Sequence, residues 1–114
     1  MFSASLDTAV SVTTLTCRGA LDYASVGELE PLLRELTAKP PADTVRFDLS
    51  EVSFVDSTGL ADLLPVVGHL LRQGTHVLLC AQPPILEVLA LFGLREHSHP
   101  NLQLEECAAV VPGA

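Results

Sequence analysis

The sequence has no tryptophan and one tyrosine, Tyr23, beside four phenylalanines. Any core it builds must be mainly aliphatic. Its three cysteines, Cys17, Cys80 and Cys107, are odd in number and widely spaced. That count and spacing, with Cys17 and Cys80 in apparent strands, favour buried free thiols over a disulfide or a zinc site. Basic residues are scarce: six Lys and Arg against fourteen Asp and Glu, a formal net charge of −8. Such a charge opposes binding to nucleic acid or an anionic membrane, and favours a partner with a basic patch. No apolar run is long enough to span a bilayer. The first residues, Met-Phe-Ser-Ala-Ser-Leu-Asp, lack the basic and apolar regions of a signal peptide, so a cytoplasmic protein is expected. The chain also lacks a phosphate-binding Gly-rich loop, a dinucleotide turn and a Gly-x-Ser-x-Gly elbow, which argues against an enzyme or a bound nucleotide cofactor.

What is present is enough for one domain, residues 1–114. Apolar residues make up 48% of the chain, which excludes a disordered polymer and allows a real core. The chain is organised around residues 47–64. Val45, Phe47 and Leu49 alternate with Arg46 and Asp48, a strand period. Leu60, Leu63, Leu64, Val67 and Leu71 then fall on one helical stripe. Asp56-Ser57-Thr58-Gly59 lies at the junction, two hydroxyls beside a carboxylate. Asp56 or Ser57 suits the N-cap of that helix, because either accepts from backbone N–H groups that the helix start leaves unpaired.

Elsewhere the pattern predicts a short strand at 2–7 and a strand from Val10 to Cys17. Ser25 with Glu28 suggests a capping box, and Val26, Leu29, Leu32, Leu33 and Leu36 a helix stripe interrupted by Pro31. The central strand is predicted over 44–49 and the second helix over 57–73, bent at Pro65 and stopped at Gly74. Val77 to Ala81 is continuously apolar, as in a parallel strand covered on both faces. Pro83-Pro84 opens a third helix with the stripe Ile85, Val88, Leu89 and Phe92. Leu102 to Leu104 suits a last strand, and 105–111 a short final helix. The resulting order is β-β-α-β-α-β-α-β: an α/β domain with a small, mostly parallel sheet and an antiparallel edge.

The run from Phe47 to Leu60, Phe-Asp-Leu-Ser-Glu-Val-Ser-Phe-Val-Asp-Ser-Thr-Gly-Leu, resembles the signature of STAS domains, within them the anti-sigma-factor antagonists of bacteria. Gly19, Leu21 and Asp22 match a second pattern of that family, Gly-x-Leu-Asp. The resemblance covers nearly the whole chain. It implies helices packed mainly on one face of the sheet, and a hydroxyl directly after the motif's Asp that a partner kinase phosphorylates. Here that residue is Ser57. Thr58 is the competing hydroxyl, one residue out of line. Asp56 is open to two readings, a helix cap or a group that orients Ser57 or holds a basic residue of the kinase. Asp22 is by resemblance part of the partner surface, and in isolation a loop carboxylate. Ala61, Asp62, Pro65 and His69 lie opposite the leucine stripe, as a solvated face or as the continuation of a partner interface.

His97-x-His99 has no third ligand nearby, so no metal site is expected. The function implied is partner switching. The unphosphorylated protein binds an anti-sigma factor serine kinase and releases its sigma factor, phosphorylation of Ser57 discharges it, and a protein phosphatase resets it. Neither nucleic acid nor a membrane is a direct partner in this reading. The alternative is a STAS subunit of an ABC-type transport complex that docks on its ATPase without phosphorylation. In such subunits Thr often stands at the Ser57 position.

Overall fold

In the computed structural model, residues 2–38, 43–96 and 98–107 are described. Five strands form one sheet in the order β1-β2-β3-β4-β5. They are β1 (Ser3–Thr8), β2 (Val12–Leu21), β3 (Thr44–Val55), β4 (His76–Ala81) and β5 (Leu102–Glu106). β1 runs antiparallel to β2, and every other pair is parallel. Helix α1 (Val26–Ala38), α2 (Ser57–Arg72) and α3 (Pro83–Leu91) connect successive parallel strands. Each crossover steps one strand in the same direction, so a common handedness brings the helices to one face of the sheet.

Burial records that one-sided cover. Leu15 and Cys17, Val45 and Phe47, and Val77 and Leu79 are buried, while Thr14, Thr16, Arg46 and Leu78 between them are half-buried. On the other face of β4 Leu78 is half-buried and Cys80 is buried, so the strand is covered fully on one face and in part on the second. The core is aliphatic, and Phe47 is its one fully buried aromatic among the described residues. Burial, and then the charge of Asp48, push the Cys17 thiol up to about 12.

Several boundaries differ from the sequence reading. Val10 is fully exposed and outside β2, which continues instead to Leu21. Gly19 makes that extension possible, with a φ of 91° inside the strand. The β2–β3 register slips between Thr16 and Arg18 and again between Gly19 and Ala20. Extra β3 residues at these irregularities end the simple alternation, and β3 runs on to Val55. The capping box before α1 is formed by Asp22 and Ser25 rather than Ser25 and Glu28. The Asp22 carboxylate accepts from Ala24 N–H at 3.0 Å, and Ser25 Oγ accepts from Asp22 N–H at 2.9 Å. A short 3-10 turn, Tyr23–Ser25, precedes α1 as a result.

On α2 the buried stripe is Leu60, Leu63, Val67 and Leu70; Leu64 and Leu71 flank it, half-buried. On α3, Ile85 and Leu89 are buried while Phe92 is exposed. Glu105 and Glu106 belong to β5, so the expected final helix does not begin there, and the rest of that expectation lies outside the described residues. Cys80 and Cys107 form a disulfide with a Cα–Cα distance of 5.6 Å, and Cys17 is the free thiol. Sequence spacing hid the bridge because β-sheet pairing, not proximity along the chain, brings the two together. Cys107 N–H donates to Ala81 O at 2.9 Å, which sets the end of β5 beside β4.

Candidate functional site

The C-terminal ends of β2 and β3 lie side by side, and each leads into a helical turn headed by an aspartate. β2 ends at Leu21, and Asp22 caps the 3-10 turn. β3 ends at Val55, and Asp56 caps α2. Asp56 Oδ1 accepts from Gly59 N–H at 2.9 Å, and Leu60 N–H donates to Asp56 O at 3.1 Å. The cap satisfies one of the N–H groups that a helix start leaves unpaired.

Two contacts join the loops. Asp56 N–H donates to Leu21 O at 3.2 Å. Gly59 packs against the same peptide: a Cβ at this position would lie 2.3 Å from Leu21 O. Only glycine lets the first turn of α2 approach the end of β2 so closely.

On this base Ser57 and Thr58 are the first two residues of α2, both exposed. Ser57 Oγ has no hydrogen-bond partner among the described residues. The hydroxyl therefore stands at a helix N-terminus, where free N–H groups and the helix dipole favour an anionic group. Asp22 and Asp56 are half-buried next to it in sequence and through the Leu21 contact. Further along α2, Ala61 and Pro65 are exposed, while Asp62 and His69 are half-buried. The face opposite the stripe is thus only partly solvated. Asp62 Oδ2 and His69 Nε2 are sequestered without a hydrogen-bond partner among the described residues.

A groove of about 390 Å³ runs beside Ser57, lined by Tyr23, Val26, Gly27, Thr58, Ala61 and Asp62. It gathers Thr58, Ala61 and Asp62 against the start of α1. Pro65 does not line it. Sequence reasoning singled out neither Tyr23 nor Gly59 as a site residue. Gly59 stood inside the signature, but its reason, the Leu21 carbonyl, comes from another strand. Tyr23 is 80% exposed and Phe54, two residues before Asp56, is 52% exposed. The scarcity of aromatics was visible in the sequence, but their exposure is a property of the fold.

Among the described residues no three His, Cys, Asp or Glu side chains are grouped to hold a metal. His97 lies outside the described residues, and His99 Nδ1 accepts from Asn101 N–H at 3.0 Å. No helix among the described residues is long and apolar enough to cross a membrane.

Comparison with solved structures finds the same fold in an anti-sigma factor antagonist from Mycobacterium paratuberculosis. The TM-score is 0.74 at 23% identity, over 90% of this chain and 86% of that one. The anti-sigma factor antagonist SpoIIAA in its unphosphorylated form matches with a TM-score of 0.68 at 16% identity, over 93% and 90% of the two chains. The Bacillus cell fate determinant SpoIIAA in its phosphorylated form matches at 0.67 and 18% identity, over 90% of each chain. No curated protein matches the sequence. The model of the STAS domain family matches residues 3–107. A five-stranded sheet with an antiparallel β1–β2 edge, three helices and this family match establish that the chain belongs to the STAS domain family.

Proposed function

We propose that the protein is an anti-sigma-factor antagonist switched by phosphorylation of Ser57. The observation that carries this reading is an exposed serine at the first position of α2, directly after the capping Asp56, in a STAS domain. That one structural relative has been described in both unphosphorylated and phosphorylated forms supports it.

The unphosphorylated protein docks on an anti-sigma factor that is also a serine kinase, and the sigma factor is released. Asp22, Asp56, Thr58, Ala61, Asp62 and Pro65 supply the surrounding face. The kinase then transfers the γ-phosphoryl group of ATP to Ser57 Oγ; ADP leaves, and the hydroxyl proton passes to a base. Asp56 Oδ1 is held by the Gly59 N–H, so Oδ2 is the oxygen left to orient the hydroxyl or meet a basic group of the kinase. A phosphatase hydrolyses the ester and resets the protein.

Phosphorylation adds a charge of about −1.5 to −2. The α2 N-terminus tolerates it, so the effect falls on the interface rather than the fold. There the phosphate adds bulk and charge at a desolvated contact, which costs several kcal/mol. The test is titration of the kinase from the same organism with variants of this protein. Ser57→Ala should bind as tightly as the unmodified protein and resist discharge. Ser57→Asp should fold normally and bind at least about tenfold more weakly, a loss of about 1.4 kcal/mol. Tight binding by fully phosphorylated protein would overturn the mechanism. Docking on a transporter ATPase without phosphotransfer would favour the transport-subunit reading instead.

A further inference from the structure

Three carboxylates surround the Ser57 loop, and they are not equivalent. Asp22 accepts from Ala24 N–H and Asp56 from Gly59 N–H, so both hold caps. Asp62 has no donor among the described residues; its Oδ2 is shielded from solvent, which leaves Oδ1 as the oxygen open to an incoming group. A half-buried carboxylate with no donor on either oxygen calls for an explanation.

Asp62 also lines the groove beside Ser57, where its companions are the Tyr23 ring, Val26, Gly27, Thr58 and Ala61. Among the described residues no basic side chain lines it. The walls are thus mostly apolar, with one carboxylate and one exposed aromatic ring. An aliphatic stem ending in a flat cation fits that chemistry: the stem packs on Val26 and Ala61, the cation pairs with Asp62 and stacks on Tyr23. The net charge of −8 favours a cationic partner over an anionic one. Thr58 belongs both to the groove and to the first turn of α2, so an occupant here is continuous with the Ser57 surface.

We infer that the groove receives an arginine side chain of the protein partner, its guanidinium paired with Asp62 and its plane against Tyr23. This rests on the reading that the Ser57 face is a docking surface, but its test needs no partner protein. The probe is N-acetyl-arginine methylamide, titrated into the isotope-labelled full chain with amide signals followed by NMR. N-acetyl-norleucine methylamide, which keeps the stem and lacks the cation, is the comparison.

The arginine probe should shift the Gly27, Thr58, Ala61 and Asp62 amides saturably, and the norleucine probe should not. Asp62→Asn should weaken the arginine probe about tenfold, the loss of one charge-assisted pair. Tyr23→Ala should weaken it less. Equal shifts from both probes, equal binding to Asp62→Asn, or no saturable shift in the groove would each overturn the assignment. Failure here with Ser57 still phosphorylated by the kinase would remove the arginine pocket and leave the switch. Success here with no phosphotransfer would do the reverse.

Discussion

Replacing Gly59 by alanine puts one methyl group where the two halves of the site meet. Its Cβ would lie 2.3 Å from Leu21 O, 2.6 Å from Leu21 C and 3.0 Å from Leu21 Cγ. The first two are backbone atoms, so the clash cannot be relieved by turning a side chain. Either the end of β2 or the first turn of α2 must move. The Leu21 carbonyl also accepts from Asp56 N–H, so movement strains the bond that joins the two loops. Overpacking of this kind costs about 1–3 kcal/mol, occasionally more. Alanine regains up to about 1 kcal/mol of helix propensity. Because both closest atoms are backbone, the cost falls in the upper part of that range, about 2–3 kcal/mol, and the expected balance is a net loss of about 1–2 kcal/mol or more.

Gly68 provides the control, because it lies in the same helix and its added Cβ meets only the Arg72 guanidinium at 3.2 Å, the far end of a flexible side chain. Gly68→Ala should therefore gain up to about 1 kcal/mol. Urea denaturation with unchanged slope measures both. A Gly59→Ala protein as stable as the parent, or more so, would refute the close approach of α2 to β2.

Leu63→Ala should cost about 2–5 kcal/mol, because Leu63 is fully buried. Leu64→Ala should cost clearly less, because Leu64 is half-buried at the flank of the stripe. Asp62→Ala should lose no more than about 0.5 kcal/mol in the same assay, since no donor is lost with the carboxylate. Reduction of Cys80–Cys107, which are 27 residues apart, should lower stability by about 3–4 kcal/mol on the chain-entropy model, and an unchanged denaturation midpoint would contradict the bridge. Before reduction one thiol, Cys17, should react with an alkylating agent, and only after unfolding, because burial keeps it protonated and out of reach.

Most of the fold was legible because α1 and α2 are amphipathic and β1, β4 and β5 are short. The α2 boundaries were read closely, since Asp56 and Gly74 mark both ends; Gly74 takes a φ of 84°, as a residue just past a helix end often does. β3 was read only to Leu49, for a physical reason. Leu49 and Ser50 are both buried, and Ser50 Oγ donates to Asp48 Oδ1 at 2.7 Å, so a polar residue sits where alternation expected an exposed one. A bulged strand has no single period, and a period was the only signal available. The site divided along the same line. The motif located Asp56, Ser57 and Thr58 along the chain. The Leu21–Gly59 contact and the groove wall from Tyr23 to Gly27 depend on β2 lying beside β3, which no local pattern encodes.

The measurement that bears most directly on the central claim is phosphosite mapping by mass spectrometry. The protein and its Thr58→Ala variant are incubated with ATP and the anti-sigma factor kinase of the same organism. The account predicts one phosphate, on Ser57, in both proteins, and none in Ser57→Ala. Phosphate on Thr58 with Ser57 untouched, or no phosphate on a protein that binds the kinase, would contradict it.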